Sequence, residues 1–304
     1  MNYQVIIEKV VEGLHDYEDK GSVATYIHEL AKVDPDKFGV HLVTVDNAHY
    51  SYGNNNEKFS IQSIAKVFTF ALAYKNFGEK IWKRVGVEPS GTPFNSLVQL
   101  EYDKGIPRNP FINAGAIVIC DILLSLLKDP HKEFLDFVKR VSVSNEINYC
   151  KTIAESERST GYRNAALVNL MKSFQNIEND IDDVLNFYFD ICSIKMTCEE
   201  LAESFLFLAS EGLHPITNEE ILTLSQSKRI NAIMQTCGFY DESGEFTYRV
   251  GLPGKSGVGG GIAALHPKKY SIAVWSPRLN KKGNSSKGIT FLENFTSETE
   301  LSIF

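Results

Sequence analysis

The chain of 304 residues is long enough to bury a sizeable core, and its composition, 43% hydrophobic, 23% charged and 11% aromatic, is that of a globular protein. A net charge of -7, with basic residues scattered in short runs such as Lys268-Lys269 and Lys281-Lys282, excludes the basic stripe that nucleic acid binding requires. No apolar stretch approaches the ~18 residues needed to span a bilayer, and the N-terminus has no basic region leading into an apolar core, so neither a membrane partner nor a secretory signal is expected.

In chain order, Val5, Ile6, Val10 and Leu14 recur at helical spacing, and after Gly21-Ser22 a second run of Val23, Tyr26, Ile27, Leu30 and Ala31 predicts another helix, broken at Pro35. The alternating, β-branched segment 38–46, a turn at Asn47-Ala48 and a return through 49–53 predict a hairpin. Ser60 is placed to cap a helix whose apolar run continues to Phe77 and stops at Gly78, which sets Ser63 in the first turn. Helical periodicity then dominates, over 114–127, 132–141, 165–174, 181–192, 199–211 and 219–236. Strands are predicted at 246–251, 261–265 and 270–275, with turns at Pro253-Gly254 and His266-Pro267, before a last helix from about 286 to 295.

Strands at both ends with helices between them imply a chain that leaves a sheet, builds a helical lobe and returns to close the sheet. The expected lobes are residues 1–78 with 241–304, and 79–240, with a site in the cleft between them. Five cysteines, an odd number without paired short spacing, fit reduced thiols in a cytoplasmic protein better than a disulfide framework or a zinc site. The seven histidines show no ligand spacing.

Ser63 and Lys66 carry the first chemical signal. Three residues apart at a helix start, they share one face, and a lysine of lowered pKa can take the proton that makes a serine nucleophilic. Ser-x-x-Lys alone is expected about once by chance in a chain of this size. A second signal is the glycine-dense stretch 251–261, which contains Lys255-Ser256-Gly257 between two strand-like runs. It reads as an edge strand bordering the cleft, with a backbone amide available to an oxyanion. Lys-Ser-Gly after Ser-x-x-Lys is similar to the layout of the penicillin-recognising serine enzymes. Further polar segments precede helices: Asn109-Pro110-Phe111-Ile112-Asn113-Ala114-Gly115-Ala116, where Asn113 equally suits a helix cap, and Glu157 with Thr160-Gly161-Tyr162-Arg163-Asn164. In the aromatic run 187–189 core packing is the default for Tyr188, and Cys237-Gly238-Phe239-Tyr240-Asp241 reads as a turn with Tyr240 exposed.

Together with Phe59-Ser60-Ile61-Gln62-Ser63-Ile64-Ala65-Lys66-Val67-Phe68 and Lys255-Ser256-Gly257-Val258-Gly259-Gly260-Gly261-Ile262, these segments resemble the serine-dependent glutaminases over nearly the whole chain. The resemblance implies a β-lactamase/transpeptidase-like fold of α and β structure: a mainly antiparallel sheet flanked by N- and C-terminal helices, plus an inserted all-helical lobe. It implies hydrolysis of L-glutamine to L-glutamate and ammonia with no metal or organic cofactor, in a homodimer or homotetramer. By resemblance Ser63 is the nucleophile, Lys66 its base, and the amides of Ser63 and Val258 the oxyanion donors. Asn113, Glu157, Asn164, Tyr188 and Tyr240 fall at substrate-contacting positions and Tyr26 near the site. Independently, a zwitterionic amino acid needs a carboxylate for its ammonium, a role that suits Glu157, and donors for its carboxylate, a role that suits Asn113 or Asn164. Burial and a nearby positive Lys255 are expected to hold Lys66 neutral. Tyr240 and Tyr26 are both candidates to protonate departing ammonia. The sequence departs from the family pattern at Asn54, where an aspartate is frequent, and at Ala65. Two other readings are a penicillin-recognising hydrolase and a glutamine-binding sensor without turnover.

Overall fold

The structure, a computed structural model, describes residues 1–90 and 97–304. In chain order its elements are α1 (Tyr3–Gly13), β1 (Gly39–Thr44), β2 (His49–Gly53), β3 (Phe59–Ser60), α2 (Ala65–Phe77), α3 (Leu97–Tyr102), α4 (Asn113–Leu126), α5 (Pro130–Val141), α6 (Lys151–Ser159), α7 (Tyr162–Ser173) and α8 (Ile181–Cys192). There follow β4 (Lys195–Met196), α9 (Cys198–Ala209), β5 (Leu213–His214), β6 (Glu219–Glu220), α10 (Leu224–Cys237), α11 (Ser243–Arg249), β7 (Gly254–Ser256), β8 (Gly261–His266), β9 (Tyr270–Trp275) and α12 (Ser286–Thr299).

The main sheet has the order β2-β1-β9-β8-β7, every neighbour antiparallel. Its strands come from the two ends of the chain, so the helical block α2 to α10 is inserted between them. Alternation along each strand divides the core. Val40, Leu42, Ile262, Ala264, Ile272 and Val274 face one way and bury against Ile7 and Val10 of α1 and Ile289, Leu292 and Phe295 of α12. Val43, Ala263, Leu265, Ala273 and Trp275 face the other way, against α9 and the inserted helices. α2 is buried from Ala65 through Tyr74, on all sides, which explains why it lacks an amphipathic stripe.

The hairpin 38–53, the helices over 113–126, 130–141, 162–173 and 181–192, and the strands β8 and β9 follow the sequence pattern closely. Four expectations fail for identifiable reasons. Residues 23–31 form no α-helix, only a single 3-10 turn at Leu30–Lys32. Ser22 bridges to Leu279, and Ala24, Ile27 and Leu30 pack with Val258 and Leu279, so a three-residue apolar spacing served a strap rather than a helix. Ser60 is not a cap: it lies in β3, its hydroxyl donates to the Cys192 carbonyl at 3.3 Å, and the helix is entered through a 3-10 turn, Gln62–Ile64. Residues 246–251 are helical, because Phe246 and Val250 enter the core one turn apart, Phe246 stacks on Phe239 at 3.6 Å, and Glu245 pairs with Arg249. The helix expected from 219 begins at Leu224, where Thr223 and Gln226 form a capping box; Glu219 and Glu220 pair with β5 instead.

α4 is seated by a close approach that only glycine allows. A Cβ on Gly115 would fall on the Asn109 carbonyl oxygen, and Asn109 in turn accepts from the Phe111 and Ile112 amides at 3.0 and 3.1 Å. Gly115→Ala should therefore cost about 2 to 3 kcal/mol by overpacking. Gly13→Ala, where a new Cβ meets nothing within 4 Å, should be neutral or stabilise by about 0.5 kcal/mol. Urea unfolding of the two variants checks both, and equal stabilities would refute the packing argument.

Candidate active site

Ser63 lies in the 3-10 turn that opens α2, with Lys66 one turn further along. The preceding Gln62 has φ of 50°, a left-handed conformation uncommon for a residue with a side chain. Its amide holds that turn in place by donating to Ser60 Oγ and to Glu157 Oε1, each at 2.9 Å. From the other side the β7–β8 loop presses on the same backbone. A Cβ on Gly257 would strike the Ile61 carbonyl oxygen, and one on Gly259 the Ser60 carbonyl oxygen. Glycine is thus required here for contact between two protein segments, and the result is that Val258 is delivered beside Ser63. Among the described residues, neither the Ser63 nor the Val258 amide is hydrogen-bonded to a protein acceptor.

Lys66 has no solvent exposure. Its Nζ donates to Asn113 Oδ1 at 2.7 Å and reaches the Phe111 carbonyl at 3.5 Å, and the Tyr188 ring lies 5.8 Å away. Burial brings its pKa down to about 8, against the pull of Glu157. Lys255 is equally buried and is held far below the usual lysine range, by burial first and by Lys66 second. The expectation that a positive Lys255 discharges Lys66 is therefore corrected: burial is the first cause on both amines, and Lys255 is itself pushed toward its neutral form. Its Nζ donates to the Ser256 carbonyl at 2.6 Å and sits 4.3 Å above the Tyr240 ring.

A cavity of 430 Å³ opens at Ser63. Tyr26, Asn113, Glu157, Asn164, Tyr188, Tyr240 and Val258 all line it, so every residue singled out in the sequence except the fully buried Lys66 meets at one surface. Glu157 on α6 is buried, which raises its pKa to about 7 even though Gln62 donates to it. Asn113, at the first position of α4 rather than its cap, donates to Asn164 Oδ1 at 3.0 Å. Tyr188 is both core and cavity wall. Tyr240 is not exposed: it is 4% accessible, has φ of 58°, and its hydroxyl is hydrogen-bonded to Ser63. Tyr26 is 55% exposed at the rim. Sequence reasoning passed over Gln62 as a site-shaping group, which gives no signal beyond standing next to Ser63; Lys255 was placed near Lys66 through the Lys-Ser-Gly strand.

An antiparallel sheet carrying an inserted helical block, with Ser-x-x-Lys at a helix start beside a Lys-Ser-Gly edge strand, is the architecture of the β-lactamase-like class. Comparison narrows the class. The family model described as Glutaminase matches residues 21–304. A glutaminase of Saccharophagus degradans is 61% identical over 304 residues, covering all of this chain and 99% of its own. A solved structure described as a probable glutaminase superposes with a TM-score of 0.94 at 32% identity, covering 99% of this chain and 98% of its own. Another, of Mglu in its glutamate form, gives a TM-score of 0.89 at 28% identity over 99% of this chain and 68% of its own. The chain belongs to the glutaminase family.

A buried amine of lowered pKa is a cost to the fold. Below about pH 8 both folded and unfolded chains hold the Lys66 proton and the full penalty, about 3 kcal/mol, applies; between about 8 and 10.5 only the unfolded chain holds it, so stability rises with pH. Lys66→Met should accordingly be more stable than the parent by about 1 to 3 kcal/mol at pH 7, with the gap closing above pH 8. Urea titrations at pH 7 and pH 9.5 measure it, and a destabilised variant at both would contradict the electrostatic account.

Proposed function

We propose that this protein is a glutaminase that hydrolyses L-glutamine through an acyl-enzyme on Ser63. The observation that carries the reading is the geometry at Lys66. A neutral amine has two hydrogens and one lone pair, and Asn113 and Phe111 offer oxygens to both hydrogens. The lone pair is left for the Ser63 hydroxyl one turn back on the same face.

In this reading the substrate ammonium is held by Glu157 and the substrate carboxylate by the amides of Asn113 and Asn164, which leaves the side-chain amide carbon at Ser63 Oγ. Attack transfers the hydroxyl proton to Lys66, and the oxyanion is received by the Ser63 and Val258 amides. Collapse breaks the carbon–nitrogen bond as the nitrogen takes a proton, and ammonia leaves. Tyr240 is assigned as the group that relays this proton because it is the tyrosine bonded to Ser63; burial keeps its hydroxyl protonated. Tyr26, on the rim, contacts bound substrate and closes the pocket. Water then attacks the ester, Lys66 again accepts the proton, and glutamate is released. No step calls for a metal or an organic cofactor.

The chain acts as one catalytic unit in this proposal, with residues 1–78 and 241–304 supplying the Ser63 turn and the Val258 strand, and 79–240 supplying Asn113, Glu157, Asn164 and Tyr188. Its cysteines are all free thiols, and among the described residues no helix is long and apolar enough to cross a membrane. Both features support a cytoplasmic enzyme, and light scattering reads whether it is the expected homodimer or homotetramer.

Ammonia release from glutamine tests the proposal. Ser63→Ala should lose at least about 10³-fold in kcat, and unchanged turnover would sink it. Tyr240→Phe should lose about 10²-fold or more in kcat while Tyr26→Phe loses less, mainly through KM; the reverse order would reassign the proton relay. Because Lys66 and Glu157 must both be deprotonated, kcat/KM should climb with pH through about 7 to 8 and flatten above.

A further inference from the structure

On the far strand of the sheet, apart from every residue of the cleft, His41, His49 and Glu199 converge. His41 on β1 and His49 on β2 share the sheet face that Val43 presents to α9, because Val43 pairs with His49 and His41 with Ser51. Glu199 stands in the first turn of α9. The three side chains bring one nitrogen each from the rings and a carboxylate oxygen within 4.8 Å of one another. His41 Nε2 and His49 Nδ1 are 3.0 Å apart, and Glu199 Oε1 is 3.9 Å from His49 Nδ1.

The hydrogen bonding on the outer sides of the rings decides what belongs between them. His49 Nε2 meets Asn47 Oδ1 at 3.2 Å, and an amide oxygen only accepts, so that nitrogen carries the proton and Nδ1 offers its lone pair inward. His41 is 4% exposed, and its Nδ1 is buried without a partner in hydrogen-bonding geometry. Burial, with His49 beside it, brings the His41 pKa down to about 4, so the ring is neutral and carries one proton; with that proton at Nδ1, Nε2 offers a second lone pair at the same point. With its proton at Nε2 instead, His41 donates to His49 Nδ1 at 3.0 Å, and a cation entering between the rings selects the other form, in which both lone pairs bind it. Tetrahedral coordination at the usual zinc–nitrogen length places two nitrogens about 3.3 Å apart, so little adjustment is needed. A further carboxylate, Glu203, lies one turn beyond Glu199 on α9.

We propose that His41, His49 and Glu199 form a binding site for a borderline divalent transition metal of the Zn²⁺ class, which fastens the β1–β2 hairpin to the start of α9. Two imidazoles and one carboxylate suit such an ion and do not suit Mg²⁺ or Ca²⁺, which require oxygen donors. The site takes no part in the proposed chemistry at Ser63.

Isothermal titration of chelator-treated full-length protein with ZnCl₂, and separately with MgCl₂, tests this. The expected result is one equivalent of Zn²⁺ bound with no Mg²⁺ heat, and an unfolding midpoint raised by about 4 °C when Zn²⁺ is at 100 times its Kd. His49→Ala, at an exposed position, should abolish that equivalent while ammonia release from glutamine is retained. Glu199→Gln should weaken it about tenfold or more, and Asn47→Gly, which keeps the left-handed turn, about tenfold. Absence of Zn²⁺ binding, or the same stoichiometry and affinity in His49→Ala and Glu199→Gln as in the parent, would overturn the assignment. Should His49→Ala lose its native circular dichroism, the Glu199→Gln titration decides alone.

Discussion

A lysine with no access to water is the constraint around which this molecule is arranged. Lys66 sits on a helix buried on every side, and the interior supplies carbonyl oxygens to its amine rather than a paired carboxylate. That choice matters, because a directly paired acid would restore the charge that burial removes. Glu157 is close enough to pull the Lys66 pKa upward but is bonded instead to Gln62. The amine's pKa is thereby brought down from the usual lysine range to about 8, within reach of neutral pH, and the fold carries the cost in the same helix that organises its largest core.

The second demand is that two chain segments far apart in sequence meet at Ser63 without a gap. Gly257 and Gly259 allow the β7–β8 loop to lie directly on the backbone of residues 60–61, while Gln62 and Tyr240 accept left-handed backbone conformations beside the same serine. Such strain persists only where surroundings over-determine it. Here the Gln62 side-chain amide is fixed at two points, and Tyr240 is clamped between the Ser63 hydroxyl and the Lys255 Nζ over its ring. Tension in the backbone and close packing of glycine are two aspects of one device that holds a hydroxyl and two unbonded amides at one point.

Much of this was legible in the sequence, and the reasons are physical. The apolar run 114–127 marked a buried helix, the helical spacing of apolar residues in 181–192 marked an amphipathic one, and the hairpin at Asn47-Ala48 carried its own turn chemistry. Ser63, Lys66 and the polar segments before helices were recoverable because chemistry restricts residue type at fixed offsets. What failed was local preference overruled by distant contacts. The β-rich string 246–250 became a helix because Phe239 and α12 offered pockets one turn apart, and 23–31 became a strap because Leu279 paired with Ser22 across more than 250 residues. Tyr240 read as an exposed turn residue, since nothing in five adjacent letters reveals that Ser63 and Lys255 cover it. The lowering of Lys255 was likewise invisible, being a property of burial rather than of spacing.

Substrate charge and site charge are coupled in the proposed mechanism. In the empty pocket Glu157 is held near pH 7 by desolvation, so it is only partly ionised at neutral pH. A bound ammonium favours the carboxylate and drives that equilibrium to the charged form. The substrate's own carboxylate, placed between Asn113 and Asn164, introduces a negative charge next to the asparagine that holds Lys66. Taken alone, that charge would favour protonated Lys66 and disable the base; the ammonium at Glu157 opposes it. The ammonium is in turn matched by the charge that Glu157 gains on binding it, and the substrate carboxylate is held at the two asparagines. Recognition of an amino acid head group is in this way tied to the protonation state of Glu157 as well as to the contacts that hold the head group.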